Sequence, residues 1–230
     1  MFASFAARSV SVHIAPVKRF HAAPVRAPVS ATATMECARV GHATRTNAGR
    51  CESLEVTMSL DGSGRFQGST NDAFIDQLVS RFAAHSGFDV TARATTSSSC
   101  TSDRGAFAGE VLGLAFLSAV GYARMDRQRM RRTGAASASS DDAFAHVSVE
   151  MSDDNRTYLG IHDARNTQDE PSEAPSLDVS IATFRFMCTF ANEARLMLHI
   201  LLIAGVFSRA VAYAEVKALG IALKSAVREV

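Results

Sequence analysis

One order of elements runs through these 230 residues twice, displaced by about 108 positions, and such a repeat points to two like halves built on one plan. In the first copy Leu54, Val56, Met58 and Leu60 alternate with Glu55, Thr57 and Ser59, the pattern of a strand buried on one face. Asp61 to Gly64, "DGSG", has the composition of a hairpin turn and leads into "RFQGST". The period then lengthens to that of a helix. Phe74, Leu78, Phe82 and Ala83 share one side, Asn71 or Asp72 supplies the cap, and Gly87 stops the helix before a strand from Phe88 to Ala94. A loop of small polar residues, "RATTSSSCTSDRGAF", precedes a second, largely buried helix ending at Gly121.

The same order returns in the second half. "FAHVSVEM" alternates like the first strand, "SDDNRT" is turn-forming, and "YLGIH" is expected to come back as the partner strand. An acidic connector, "DARNTQDEPSEAPS", follows. A helix is then expected in "IATFRFMCTFANEA", a strand in "LMLHILL", and a long helix with an apolar stripe through Val211, Ala214, Leu219, Ala222 and Leu223. Phe184, Phe186 and Phe190 cannot all face one core from one helix, so one of them is expected at the surface, available to a partner. The fold class is therefore an internally duplicated α+β domain over 35–230, with halves at about 38–121 and 140–230.

The first 34 residues hold Arg8, Lys18, Arg19 and Arg26 and no Asp or Glu, the composition of an organelle transit peptide. "VKRFHAAP" favours a mitochondrion, whereas "PVRAPVSATA" would suit a plastid. Without this leader 20 basic residues face 23 acidic ones, which leaves no overall pull toward nucleic acid. Cys37, Cys51, Cys100 and Cys188 form no close pair and no metal-type spacing, as expected of thiols in a reducing compartment. The most apolar run, Leu196 to Phe207, is interrupted by His199 and falls well short of the roughly 20 residues of a spanning helix, so no membrane span is expected.

"SLDGSGRFQGSTNDAFIDQLVSRFAAHSGFDVTARAT", "SSDDAFAHVSVEMS", "RTYLG", "LMLHILLIAG" and "AEVKALGIALKSAV" together resemble imidazoleglycerol-phosphate dehydratase of histidine biosynthesis, in order from Ala38 to Val227. The resemblance implies a duplicated half-domain, each half a small, mostly antiparallel sheet backed by helices, and assembly into large symmetric homo-oligomers. It also implies manganese, held by His- and Glu-rich motifs, that binds the substrate's imidazole for elimination of water.

Those motifs are changed here. The family's Phe-Leu-Asp-His falls on Phe74, Ile75, Asp76 and Gln77, and its His-His-x-x-Glu-Asp falls near Asp103, Arg104 and Phe107. Its Glu-His pair falls on Phe184 and Arg185, and its Ser-His-His-x-x-Glu on Ser208, Arg209, Ala210 and Tyr213. The Pro-(Leu/Met)-Asp-Glu-Ala motif survives as Ser139, Ser140, Asp141, Asp142 and Ala143, and Asp-Leu-Ser-Gly-Arg-Pro is broken into "EMSDDNRT". Losing ligands from both halves together is hard to reconcile with catalysis, so no catalytic residue, metal or cofactor is expected.

The remaining polar residues offer little to replace them. His85 has the place of a helix cap, and His146 and His199 lie on strand patterns. Arg124, Arg127, Arg129, Arg131 and Arg132, with Lys217, are candidates for an anion site, against the alternative of a solvated loop and an exposed helix residue. The expected function is that of an inactive dehydratase relative serving as a structural subunit of an organellar assembly, with protein subunits or its own copies as partners. The alternatives are a regulatory subunit of an intact dehydratase and an active dehydratase.

Overall fold

The computed structural model describes residues 39–47, 52–96, 103–123, 130–151, 157–164, 177–206 and 208–230. The expected leader, Cys37, Cys51, Cys100, Arg124, Arg127 and Arg129, and nearly all of the acidic connector lie outside them. The first half runs β1 (Val40–Asn47), β2 (Glu52–Ser59), β3 (Phe66–Ser69), α1 (Ala73–Ser86), β4 (Asp89–Thr96), α2 (Arg104–Ala123). The second repeats it as β5 (Thr133–Ser140), β6 (Ala143–Met151), β7 (Tyr158–Asp163), α3 (Leu177–Ala194), β8 (Leu196–Ala204), α4 (Ser208–Ala226). Both halves belong to one compact unit, Ala38–Val230.

Each half makes a four-stranded sheet, ordered β1-β2-β4-β3 and β5-β6-β8-β7. Two pairs in each are antiparallel, and the last, β3 with β4 or β7 with β8, is parallel. This corrects two expectations. "DGSG" and "SDDNRT" do not close hairpins, because β3 and β7 pair with the strand that follows the next helix. A strand, a crossover helix and a neighbouring strand form a parallel pair, and that arrangement leaves β2 and β6 free to take β4 and β8 on one side and β1 and β5 on the other. The strands β1 and β5 were not anticipated. The hairpins that do form are β1–β2 and its counterpart β5–β6, the latter turning at Asp141 and Asp142, with Asp142 Oδ2 accepting the Val206 N–H at 2.8 Å.

Alternation in the strands buries one face of each sheet against helices. Leu54, Val56 and Met58 on β2, and Ala145, Val147 and Val149 on β6, are buried. The helix α1 begins where Asp72 Oδ1 accepts the N–H groups of Phe74 and Ile75, and ends at Gly87, whose φ of 76° suits glycine. Asp76 accepts from the Thr70 N–H and from the Ser69 and Thr70 hydroxyls, fixing the turn before that helix.

The helices of one half pack on those of the other, α1 on α4 and α2 on α3, so the helical layer lies between the two sheets. Phe82 of α1 meets Phe190 of α3 edge-on at 5.8 Å, a contact between residues 108 positions apart, equivalent places in the two halves. Phe186 and Phe190 are buried and Phe184 is half exposed, so the outward phenylalanine is Phe184.

The closest helix contact is built on glycine. A Cβ added at Gly105, Gly109 or Gly113 of α2 would stand 2.4, 2.3 or 2.7 Å from the carbonyl oxygens of Ala182, Phe186 and Phe190 on α3. Across the same contact, Thr189 Oγ1 of α3 donates to the Ala106 carbonyl at 2.8 Å. Arg104–Gly121 is long and apolar enough to cross a membrane by length and composition, but its buried residues, Ala108 to Val120, face the sheet and α3.

Candidate functional site

The positions at which the resemblance places metal ligands lie on the four helices: at the start of α2, in the first two turns of α1 and α4, and, for Arg185, midway along α3. The fold brings them together in two pairs, one at each helix–helix contact, and each pair joins residues from opposite halves.

At the α1–α4 contact, Gln77 meets Tyr213. The Tyr213 hydroxyl donates to Gln77 Oε1, and the Arg81 guanidinium lies 3.6 Å from the centre of the Tyr213 ring. Phe74 flanks the same ring at 6.3 Å. Tyr213 is itself buried, so a phenol ring occupies the place between the two helices and its one polar atom is paired.

At the α2–α3 contact, Asp103 meets Arg185 in an ion pair. The other oxygen of Asp103 caps α2 by accepting the Ala106 N–H at 3.3 Å. Gln77 and Arg185 stand 108 positions apart, as Phe82 and Phe190 do, so these two residues are counterparts in the duplication, whereas their partners Tyr213 and Asp103 are 110 apart. Arg104 donates to the Asn71 carbonyl, tying the start of α2 to the turn before α1. Arg209 is exposed, Ala210 is buried, and Phe107 packs on the core.

The donor set does not suit a hard or borderline divalent cation. Three of the positions carry guanidinium groups, which remain protonated and offer no lone pair, and Ala210 offers no donor atom at all. The carboxylate of Asp103 is shared between a helix cap and Arg185. Among the described residues, no group of three or more His, Cys, Asp or Glu side chains could hold a metal ion.

The other candidates are tied into the fold. His85 Nδ1 lies 2.9 Å from the Arg81 carbonyl, closing the last turn of α1. His146 pairs with Ser137 Oγ at 2.8 Å across β5 and β6, and His199 lies 5.0 Å from the Tyr158 ring. Lys217 Nζ donates to the Ser139 carbonyl at 3.1 Å, joining α4 to β5. The Arg131 N–H donates to the Arg228 carbonyl and Arg132 Nη2 to the Met151 carbonyl. Arg124, Arg127 and Arg129, the rest of the candidate anion site, lie outside the described residues. Cys188 is a free, half-buried thiol on α3.

The electrostatics lie away from these pairs. Burial pushes the Glu193 carboxyl up, with Glu110 nearby adding to the shift. The hydrogen bond from Arg39 holds Asp61 below its usual range, and backbone N–H groups of Arg65 and Ser63 do the same for Asp89.

A family model described as imidazoleglycerol-phosphate dehydratase matches residues 70–223, two thirds of the chain. The chain belongs to the imidazoleglycerol-phosphate dehydratase family. It is 29% identical over 201 residues to imidazoleglycerol-phosphate dehydratase 1, chloroplastic, of Arabidopsis thaliana, covering 86% of this chain and 68% of that protein. It is 31% identical over 192 residues to the chloroplastic enzyme of Pisum sativum, covering 82% of this chain and 63% of that protein, less than two thirds of its length. The crystal structure of imidazoleglycerol-phosphate dehydratase from Staphylococcus aureus superposes with a TM-score of 0.64 at 22% identity, covering 83% of this chain and 99% of that one. The enzyme from Pyrococcus furiosus superposes at 0.60 with 24% identity, covering 81% and 94%. The duplicated fold of two mixed sheets and four helices is thus the family's.

Proposed function

We propose that this chain is a catalytically inactive member of the imidazoleglycerol-phosphate dehydratase family, kept as a structural or accessory subunit of an organellar protein assembly. The observation that carries the proposal is the pairing of the ligand positions with one another. Gln77 with Tyr213, and Asp103 with Arg185, satisfy polar groups that a manganese site would have to leave free. The surrounding core is buried in both halves, so the fold is kept while the chemistry of these helix positions has changed. In this account residues 1–34 serve as an organelle leader and 35–230 as the folded domain. The names of the two plant relatives favour a plastid, as the leader's "PVRAPVSATA" does, and only its "VKRFHAAP" favours a mitochondrion.

Purified full-length chain, assayed with imidazoleglycerol phosphate and manganese beside an intact family enzyme, is expected to give no turnover above background. Turnover would overturn the inactive assignment. The subunit role is tested separately by the composition of the native assembly isolated from organelles. A fixed ratio with unrelated subunits supports it, whereas co-isolation with an intact dehydratase would replace it with a regulatory role.

A further inference from the structure

A cleft of about 420 Å³ opens where β5, β6 and β8 lie side by side. The charged groups of Arg131 and Glu150, the hydroxyls of Thr133, Ser148 and Ser225, and the imidazole of His199 line it. Strand register explains their convergence. Thr133 stands opposite Glu150 across β5 and β6, and Ser148 stands opposite His199 across β6 and β8, so four of these side chains share one face. Ser225 joins them from the last turn of α4. Arg132 fixes the rim between Arg131 and Thr133: its φ is 65°, its carbonyl accepts the Met151 N–H and its Nη2 donates to the Met151 carbonyl.

Among the described residues, the Arg131 guanidinium and the Glu150 carboxylate have no hydrogen-bond or ion-pair partner, and although they line one cleft they do not pair with each other. The first sheet is an internal comparison. Its matching register pairs are Val40 with Ser59 and Thr57 with Thr91, which bring neither charge nor imidazole. The charges beside that sheet are held within the fold, Arg39 by Asp61, Arg45 by Glu110, and Asp89 by the N–H groups of Ser63 and Arg65. Two unpaired, opposite charges in one cleft are thus a property of the second half.

We propose that this cleft binds a small zwitterion, a free α-amino acid, with its carboxylate on Arg131 and its ammonium on Glu150. The guanidinium fork matches a carboxylate, and an ammonium has three hydrogens to give to Glu150 and the neighbouring hydroxyls. A ligand with only negative charge would face Glu150, and one with only positive charge would face Arg131, so the pair selects a molecule that carries both. The volume lies at the small end of the roughly 300–1,000 Å³ of small-molecule sites, which suits a compound of this size. Met197, with the His199 ring 5.0 Å from that of Tyr158, gives the ligand's side chain a less polar place to lie. None of the helix positions at which the resemblance places metal ligands lines the cleft, so the inference does not rest on the loss of catalysis.

Thermal unfolding of the full-length chain with each standard L-α-amino acid in turn, at about 10 mM, is expected to find at least one that raises Tm, by about 3 °C or more at tenfold its Kd. Calorimetry on that amino acid then measures the affinity. Its amide and its N-acetyl derivative, each short of one charge, are expected to bind about tenfold more weakly or worse. Arg131→Gln and Glu150→Gln, both at exposed residues, are expected to weaken binding by a similar factor and to leave the Tm of the free chain unchanged. A chain whose Tm no amino acid raises, a singly charged derivative that binds as well as its parent, or binding that survives both substitutions would overturn the proposal. The derivatives are tested on the unaltered chain, so they decide the matter even if a substituted chain fails to fold.

Discussion

Replacing Gly109 by alanine tests the helix packing most severely for a single methyl group. In a solvent-exposed helix that exchange stabilises by about 1 kcal/mol, because glycine is the more flexible residue in the unfolded chain. Here the new Cβ would stand 2.3 Å from the Phe186 carbonyl oxygen and 2.4 Å from Thr189 Oγ1, about 1 Å closer than ordinary contact. The first of these is backbone and cannot rotate away, so α2 and α3 must separate. Overpacking of this kind costs about 1–3 kcal/mol and sometimes more. Separation also strains the bond from Thr189 to the Ala106 carbonyl, adding about 1 kcal/mol. Set against the gain in helix propensity, a net loss of about 1–3 kcal/mol follows, which for a chain of this size lowers Tm by roughly 2–12 °C. Gly121 supplies the control, since a Cβ there meets nothing within 4 Å, and Gly121→Ala is expected to leave Tm unchanged or raise it slightly. Thermal unfolding followed by circular dichroism measures both. A Gly109→Ala chain as stable as its parent would refute the close α2–α3 contact.

Two further substitutions probe the helix starts and the charges. Tyr213→Phe removes the hydroxyl bond to Gln77 but keeps the ring under Arg81, and because Gln77 is exposed to water the cost is expected to be about 1 kcal/mol or less in denaturant unfolding. Asp89 titrates below its ordinary 3.8 in the folded chain, so its contribution to stability is complete above the unfolded value and is lost as pH falls through the lower folded one. Asp89→Asn is expected to flatten the acid limb of the stability profile, and an unchanged profile below about pH 4 would refute the role given to the Arg65 and Ser63 N–H groups.

Much of the fold was legible because burial writes itself into alternation. The strands β2 and β6 and the helices α1, α3 and α4 carry large apolar residues at the proper period. The strands β1 and β5 do not, and the reason is physical. A Cβ at Gly41 would lie 1.9 Å from the Ala115 carbonyl of α2, and one at Gly134 2.0 Å from the Ala222 carbonyl of α4. Strands that lie directly on helix backbone need small residues on their inner face, and "VGHATRTN" and "TGAASASS" therefore lose the hydrophobic signal of a strand. The parallel pairing of β3 and β7 was also hidden, since a turn-forming stretch is local and the partner strand lies beyond a helix. On the helices, the resemblance could name the positions at issue but not the partners the fold gives them. Gln77 and Tyr213 are 136 residues apart, and neither residue type signals the other.

The central claim is that this fold has survived the loss of its metal chemistry. Titration of the full-length chain with manganese, read by isothermal calorimetry and by metal content after dialysis, tests it most directly. The account predicts no stoichiometric binding at micromolar concentrations, with an intact family enzyme as the positive control. Tight binding at one or two ions per chain would contradict it.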